Sequence, residues 1–159
     1  MLEEQQYARQ VSALLAAAAG YARSILRDRH HAEDAVQQAA LRGLERLRTY
    51  DEARPFKAWW FSILHNCCID IVRTSRGLRT VGLDNVDLAD AAPDTTDWER
   101  LATCVSQLSA DHREILRLKY FADLSYRELA ESLAIPQGTV MSRLHLARKA
   151  LAAKMAGEE

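Results

Sequence analysis

The sequence predicts an all-α fold made of two small helical domains joined by a flexible acidic linker. Ala, Leu, Arg and Glu dominate a chain of 159 residues with only 6 Gly and 3 Pro, a composition that favours helices. Apolar residues recur at helical spacing before residue 77 and again after residue 97. Between these stretches, residues 77–97 contain one arginine and five aspartates. That segment shows no sustained helical period, so we interpret it as the linker.

The chain length and composition also limit the class of protein. A length of 159 residues suits two small domains, and 48% hydrophobic residues are enough to build a core. The opening MLEEQQYARQ carries acids and glutamines, unlike a signal peptide. The apolar run ALLAAAAGYA is too short and too weakly apolar to span a bilayer. We therefore expect a cytoplasmic protein without membrane insertion.

The stretch HAEDAVQQAALRGLERLRTYD predicts a helix from about Ala32 to Arg48. With successive residues about 100° apart, the inward face holds Ala35, Val36, Ala39, Ala40, Gly43, Leu44 and Leu47. The opposite face is polar apart from one leucine and holds Asp34, Gln37, Gln38, Leu41, Glu45 and Arg48. Leu41 is either an isolated exposed leucine, which is normal, or part of a contact surface for another protein.

A second helix is predicted for FKAWWFSILHNCCIDIVRTSR. Its core side is expected to hold Trp60, Leu64, Cys67, Cys68, Ile71 and Val72. Its outer side is expected to hold Trp59, Ser62, Asn66, Asp70 and Arg73. An exposed indole can stack on a nucleic-acid base, and arginine can hold phosphate. Alternatively, Trp59 packs against the preceding loop and closes the domain. The pattern leaves both interpretations open.

The three cysteines, Cys67, Cys68 and Cys104, argue against a disulfide framework because their number is odd and two are adjacent. The segment HNCC lacks the Cys-x-x-Cys spacing of a zinc site. We therefore predict buried, reduced thiols, no bound metal and no cofactor.

The second domain is predicted to contain four helices, and capping residues mark two of them. Ser109 can cap a helix over about Asp111 to Tyr120. Ser125 and Glu128 form a capping-box pattern at the start of YRELAESL. The tight turn AIP follows, and its proline suits the start of the next helix. A helix, a short turn and a second helix make a helix-turn-helix motif.

The last predicted helix lies in a segment free of acidic residues from Ser132 to Gly157, although the net charge of the chain is −1. Its inward face is expected to hold Val140, Leu144, Ala147 and Leu151. Its outward residues are Ser142, His145 and Lys149, flanked by Met141, Arg143 and Arg148. A carboxylate there would repel phosphate, so the helix-turn-helix context favours a helix that lies in a DNA groove. The alternative is a solvated basic helix near the C-terminus.

Three segments, in this order, carry a resemblance to a known family: HAEDAVQQAALRGLERL, FKAWWFSILHNCCIDIVR and LSADHREILRLKYFADLSYRELAESLAIPQGTVMSRLHLARKAL. The chain resembles the bacterial RNA polymerase sigma factors of the sigma-70 family, specifically the two-domain extracytoplasmic-function (ECF, group 4) type. The resemblance covers about residues 8–76 and 97–155. It implies a sigma2-like domain over residues 1–76, a linker over residues 77–97 and a sigma4-like helix-turn-helix domain over residues 98–159.

The resemblance also implies partners. It places the contact with the clamp helices of the polymerase β′ subunit at Asp34, Gln37, Gln38 and Leu41. The helix around Arg113 to Tyr120 is similar to the part that meets the β flap, and the linker to the strap that runs towards the RNA exit path. Promoter DNA and an anti-sigma factor are the other partners implied.

Two DNA-contacting surfaces follow from the same resemblance. The loop TYDEARPFK and the next helix resemble the segment that melts the −10 element and holds its non-template strand, through Phe56, Lys57, Trp59, Asn66, Asp70 and Arg73. Asp70 is expected to orient Arg73. The −35 element is expected to contact Thr139, Met141, Ser142, Arg143, His145, Leu146, Arg148 and Lys149. Met141 and Leu146 stand where family members often carry a basic residue.

The sequence thus predicts a sigma factor that directs promoter recognition and melting. A stand-alone helix-turn-helix regulator that binds duplex DNA is the alternative, and a thiol or metal sensor built on HNCC is a third class. No combination of nucleophile, base and acid in the sequence indicates an enzyme.

Overall fold

The computed structural model describes residues 1–80 and 96–157, and every regular element in that part of the chain is a helix. The predicted all-α class is therefore confirmed. The chain divides into two compact units, Met1–Asp90 and Ala91–Glu159. Most of the predicted acidic linker, residues 81–95, lies outside the described residues. Among the described helices, none combines the length and the apolar character needed to cross a membrane.

The described part of the first unit contains three long helices: α1 (Glu4–Leu26), α2 (Arg29–Glu45) and α3 (Phe56–Thr80). A 3-10 turn, Leu47–Thr49, follows α2. The α2 helix begins earlier than predicted because the Asp28 carboxylate caps it, accepting a hydrogen bond from His31 N at 2.9 Å. It also ends earlier, since the chain tightens into the 3-10 turn. The third helix continues past residue 76, where the first domain was predicted to end.

Small residues of α2 allow the three helices of the first unit to approach closely. Its buried stripe is Ala32, Ala35, Ala39 and Gly43. The Tyr7 hydroxyl donates to the Ala40 carbonyl oxygen at 2.6 Å and accepts from Trp60 Nε1 at 3.2 Å. A Cβ atom on Gly43 would overlap the Tyr7 hydroxyl and lie 3.2 Å from Trp60 Cδ1. Because this junction leaves no room for a side chain, glycine is required there for steric reasons.

The described part of the second unit contains the four predicted helices: α4 (Thr96–Ser106), α5 (Ala110–Tyr120), α6 (Tyr126–Leu133) and α7 (Gln137–Met155). The α7 helix packs on the other three. The core of the unit comprises Ala102, Val105, Leu108, Ile115, Leu116, Leu118, Ala122, Leu124, Leu129, Val140, Leu144 and Ala147. Each unit thus buries apolar side chains from its own helices.

The helix-turn-helix is formed by α6, the turn at residues 134–136 and α7. Both predicted caps are present: the Ser109 hydroxyl accepts from His112 N, and Ser125 and Glu128 form a reciprocal capping box. Ala134 ends α6 in the left-handed region with φ 55° and ψ 45°, a conformation that favours glycine. Ile135 N donates to the Ala130 carbonyl oxygen at 3.1 Å, and Pro136 precedes α7 as its N-cap.

Candidate nucleic-acid and protein interfaces

The outer face of α2 presents polar side chains around exposed leucines. The four side chains predicted to contact a protein partner are all exposed: Asp34, Gln37, Gln38 and Leu41. Leu41 is 63% exposed and Leu44 is 40% exposed. The prediction that Leu44 packs inward is wrong. The buried stripe of α2, which ends at Gly43, is narrow. Leu44 lies about 100° from Gly43 around the helix axis and so falls outside the stripe. We name the outer side chains at positions 34, 37, 38, 41 and 44 the α2 outer face.

An aromatic cluster lies beneath the loop that precedes α3. The Tyr50 and Trp59 rings are 4.5 Å apart between centroids with an interplanar angle of 37°, and Phe56 lies 5.6 Å from Trp59. Tyr7 meets Phe56 edge-on at 6.0 Å. Only 9% of Trp59 is exposed. The expectation of an outward-facing Trp59 is therefore wrong: the indole packs against the preceding loop, the other arrangement that the helical pattern allowed.

The loop itself, residues 50–55, is held by short-range hydrogen bonds. The Tyr50 hydroxyl donates to the Arg54 carbonyl oxygen at 2.6 Å. The Asp51 carboxylate accepts from Ala53 N at 2.9 Å, and Arg54 N donates to the Asp51 carbonyl oxygen at 2.9 Å. Burial raises the pKa of the Tyr50 hydroxyl, and the charges of Glu52 and Asp51 raise it further. The hydroxyl therefore stays protonated at neutral pH and keeps its donor role.

The outer side of α3 presents an amide and two charged groups of opposite sign. Asn66, Asp70 and Arg73 are exposed, whereas Lys57 and Phe56 are half-buried. Arg42 of α2 donates to the Asp70 carboxylate at 3.0 Å, and this bond raises the pKa of the Arg42 guanidinium.

The expectation that Asp70 orients Arg73 is wrong, because its ionic partner comes from the neighbouring helix. Arg73 forms no ion pair with any side chain in the described ranges. Arg42 was not singled out by the sequence, since its distance of 28 residues from Asp70 is not a helical spacing.

The thiols are buried, as predicted. Cys67 and Cys68 are 0% exposed and Cys104 is 8% exposed. Burial raises the pKa of the Cys67 thiol, and the nearby Arg42 guanidinium offsets part of that rise. A hydrogen bond of 3.0 Å joins His65 Nδ1 to the Tyr21 hydroxyl. Within residues 1–80 and 96–157, no three His, Cys, Asp or Glu side chains form a group able to hold a metal ion.

The α7 helix separates an apolar inner side from an exposed outer side. Val140, Leu144 and Ala147 are 0% exposed, as predicted. Of the residues predicted to contact the −35 element, Met141, Ser142, His145, Leu146, Arg148 and Lys149 are exposed, whereas Thr139 and Arg143 are half-buried. We name the line of Ser142, His145 and Lys149 the α7 ridge, because it lies opposite the buried residues.

The two neighbouring cations of α7 have different surroundings. Arg148 Nε donates to the Tyr120 hydroxyl at 2.5 Å, and the guanidinium lies 5.6 Å from the centre of that ring. Lys119 lies 5.2 Å from the centre of the Tyr126 ring. Lys149 is exposed on the α7 ridge and forms no ion pair within the described part of the chain. Arg148 is therefore held against α5, while Lys149 projects outwards.

Arg113, in the helix predicted to meet the polymerase flap, has a structural role within the second unit. Its guanidinium donates to the Ser106 and Leu108 carbonyl oxygens at 3.3 and 3.2 Å. These carbonyl groups lie at and just after the end of α4, so Arg113 satisfies acceptors that the helix leaves unpaired.

Comparison with known proteins gives two family matches in the order of the two units. Residues 10–77 match "Sigma-70 region 2". Residues 98–151 match "Sigma-70, region 4". The matched ranges contain the α2 outer face, the loop at residues 50–55 and the helix-turn-helix except the last four residues of α7.

The chain is similar over most of its length to individual proteins. It is 35% identical over 140 residues to the ECF RNA polymerase sigma factor SigL of Mycobacterium tuberculosis strain H37Rv, covering 82% of this chain and 78% of SigL. It is 31% identical over 138 residues to the ECF RNA polymerase sigma factor SigW of Bacillus subtilis strain 168, covering 77% and 74% of the two chains.

Two solved structures share the fold and contain a second protein. CnrH, solved in complex with the cytosolic domain of CnrY, matches with a TM-score of 0.75 and 25% identity, over 99% of this chain and 92% of CnrH. The sigma factor RpoE of Bartonella quintana, solved with the anti-sigma factor NepR, matches with a TM-score of 0.72 and 25% identity. That match covers 96% of this chain and 98% of RpoE.

Proposed function

The chain belongs to the ECF RNA polymerase sigma factors of the sigma-70 family, and from this membership we propose that it binds core RNA polymerase and directs it to a specific set of promoters. The observation that carries the proposal is the presence of region 2 and region 4 in one chain, in that order. In each described unit, most of the individual residues that the family resemblance assigns to polymerase or DNA contacts are exposed. The role requires no catalysis by this chain.

We propose that the α2 outer face docks on the clamp helices of the polymerase β′ subunit. Exposed Leu41 and Leu44 give this face an apolar centre, and Asp34, Gln37 and Gln38 provide hydrogen-bonding groups around it. An apolar centre with a polar rim is the usual anatomy of a protein interface.

The −10 surface is assigned to the loop at residues 50–55 and the outer side of α3. Asn66 supplies an amide for a base edge, and Lys57 and Arg73 supply charges for phosphate. Phe56 and Trp59 contribute indirectly. They pack with Tyr50 beneath the loop and so hold the loop in place. Asp70 is paired with Arg42, which reduces its repulsion of a DNA strand.

The −35 surface is assigned to α7, inserted in the major groove. Ser142 and His145 of the α7 ridge face the bases, and Thr139, Met141, Arg143 and Leu146 lie beside them. Lys149 projects towards the phosphate backbone. Arg148, held by Tyr120, contributes positive charge from a fixed position.

Regulation by an anti-sigma factor is part of the proposal. The Bartonella quintana RpoE structure contains the anti-sigma factor NepR, and the CnrH structure contains the cytosolic domain of CnrY. We propose that this chain is likewise bound by an anti-sigma protein, in the cytoplasm where the polymerase works.

The test of polymerase docking uses two exposed leucines of the first unit. Leu41→Asp places a charge in the centre of the proposed interface and should weaken binding to core polymerase by about 2–4 kcal/mol. Leu15→Asp is the matched control, because Leu15 is a 44% exposed leucine of α1 and is not part of the α2 outer face. Co-purification with core polymerase and run-off transcription are the readouts. Equal loss in both variants, or undiminished binding by folded Leu41→Asp, would contradict the proposed interface.

Promoter melting separates this function from that of a stand-alone duplex-binding regulator. With core polymerase, the chain should bind a template with a pre-opened −10 bubble more tightly than the matched duplex, because the bubble removes the cost of unpairing bases. A stand-alone regulator should prefer the duplex and act without core polymerase. Absence of any preference for the unpaired non-template strand would overturn the sigma-factor proposal.

A further inference from the structure

Two large apolar side chains on α7 are exposed without contributing to the core. Met141 is 58% exposed and Leu146 is 55% exposed. Val140, Leu144 and Ala147 already fill the inner side of this helix and are fully buried. Met141 and Leu146 therefore give α7 an apolar outer surface that folding of the second unit does not explain.

Their positions place them on opposite flanks of the α7 ridge. With about 100° between successive residues, Ser142 and Lys149 point almost directly away from the buried side. Met141 lies on one flank of that line and Leu146 on the other. A helix inserted along this line would bring both apolar side chains towards base edges on either side of it.

The backbone at the start of the same face is open. Gly138 is exposed, and a Cβ atom built on it would meet no atom within 4 Å. Glycine near a helix start exposes peptide groups and allows close approach of another molecule. No acidic side chain occurs from Ser132 to Gly157. This surface is therefore suited to bind duplex DNA, which is negatively charged and has a deep major groove.

The chemistry of the major groove provides one apolar partner for these side chains. Base edges there display hydrogen-bond donors and acceptors, and thymine alone adds a C5-methyl group. A thioether and an isobutyl group cannot pair with phosphate, but both can bury a methyl group. We propose that Met141 and Leu146 determine specificity by contacting thymine methyl groups, so that the −35 element of this factor contains thymines opposite both residues. This inference rests on the proposed function.

The test begins by finding the −35 sequence with the full chain bound to core polymerase. A duplex library randomised upstream of a fixed −10 bubble is selected for binding and sequenced. Each thymine of the selected −35 element is then replaced singly by deoxyuridine, which removes only the methyl group. For wild type, two of these replacements should each weaken binding by about fourfold, the value of one buried methyl-sized group.

Variants assign each methyl group to a side chain. Met141→Ala should abolish the loss at one deoxyuridine position and Leu146→Ala the loss at the other, as expected for directly contacting groups in a double-mutant cycle. Met141→Leu should keep the thymine preference, because it keeps an apolar side chain. Leu15→Ala is the control, since Leu15 is an exposed leucine of α1, and it should leave both losses unchanged.

The outcomes distinguish failure of this inference from failure of the proposed function. If a −35 sequence is selected but deoxyuridine has no effect, or if the variants retain both losses, the inference is overturned and promoter recognition stands. If no sequence preference emerges upstream of the −10 bubble, the proposed −35 role of α7 is wrong, and the inference falls with it.

Discussion

At the scale of single residues, steric fit and burial determine what can be changed. Gly43 lies where α2 crosses the Tyr7 hydroxyl and the Trp60 indole. Those two side chains are also joined by a hydrogen bond of 3.2 Å, so neither can move without disturbing a buried polar contact. A methyl group there must displace one of them.

Gly43→Ala should therefore destabilise the protein by about 1–3 kcal/mol, the usual cost of overpacking a core. Gly138→Ala is the matched change, because a Cβ atom there meets nothing within 4 Å, and it should gain no more than about 1 kcal/mol. Urea unfolding followed by far-ultraviolet circular dichroism measures both. Equal free energies of unfolding for wild type and Gly43→Ala would show that the junction can relax.

The Cys67 and Cys68 thiols should be unreactive in the folded protein. Both are fully buried, and burial raises the pKa of Cys67. A raised pKa lowers the fraction of thiolate at neutral pH, and the thiolate is the reactive form. Alkylation with iodoacetamide near neutral pH, followed by mass spectrometry, should modify these residues slowly in native protein and rapidly in denaturant. Rapid modification of native protein would instead support the thiol-sensor alternative.

At the scale of secondary-structure elements, two parts of α3 differ in role: one part packs in the core and another part is exposed for the proposed contact with DNA. Trp59 is buried beneath the loop at residues 50–55. Asn66, two turns further along, is exposed. The start of the helix therefore anchors the loop, and the following turns present polar groups. Substitutions at the two sites should have separable effects.

Trp59→Ala should destabilise the first unit by about 3–5 kcal/mol through the cavity it leaves, and a pre-opened bubble template should not restore its activity. Asn66→Ala should leave the unfolding free energy unchanged and weaken strand opening on duplex templates, with rescue by the bubble. Urea unfolding and transcription with core polymerase on the two templates measure these effects. A stable Trp59→Ala protein, or full duplex activity of Asn66→Ala, would contradict this division of roles.

At the scale of the whole molecule, the chain consists of two units with separate cores. Trp60, Phe61 and Leu64 are buried within the first unit, and Leu116, Leu129 and Leu144 within the second. The proposed −10 and −35 surfaces belong to different units, which suits the proposed recognition of two separated promoter elements. Because each unit has its own apolar core, each has the means to fold as a unit.

Residues 91–159 expressed alone should therefore fold cooperatively and bind duplex DNA that carries the selected −35 sequence. Thermal unfolding by circular dichroism and a salt titration of DNA binding test this. Lys149→Ala in the same fragment should lower the salt slope by about one unit. A fragment without a cooperative transition would show that the second unit depends on the rest of the chain.

Local patterns in the sequence determined α2, α3, the four helices of the second unit, the two serine caps and the helix-turn-helix, whereas α1 was not predicted. These features depend on residues three or four apart, so periodicity and capping chemistry are sufficient to predict them. The inner side of α7 and the exposure of Leu41 follow from the same periodicity. The matches to sigma-70 regions 2 and 4 agree with the family resemblance that three segments of the sequence carry.

Tertiary structure alone decided the burial of Trp59, the exposure of Leu44 and the ionic partner of Asp70. Periodicity gives the direction of a side chain relative to its own helix axis, but the sectors that become covered depend on which neighbours pack there. Tyr50 and Phe56 cover Trp59, the narrow contact with α1 and α3 leaves Leu44 exposed, and Arg42 approaches Asp70 from α2. Each outcome depends on the packing of neighbouring elements, which periodicity along one helix does not encode.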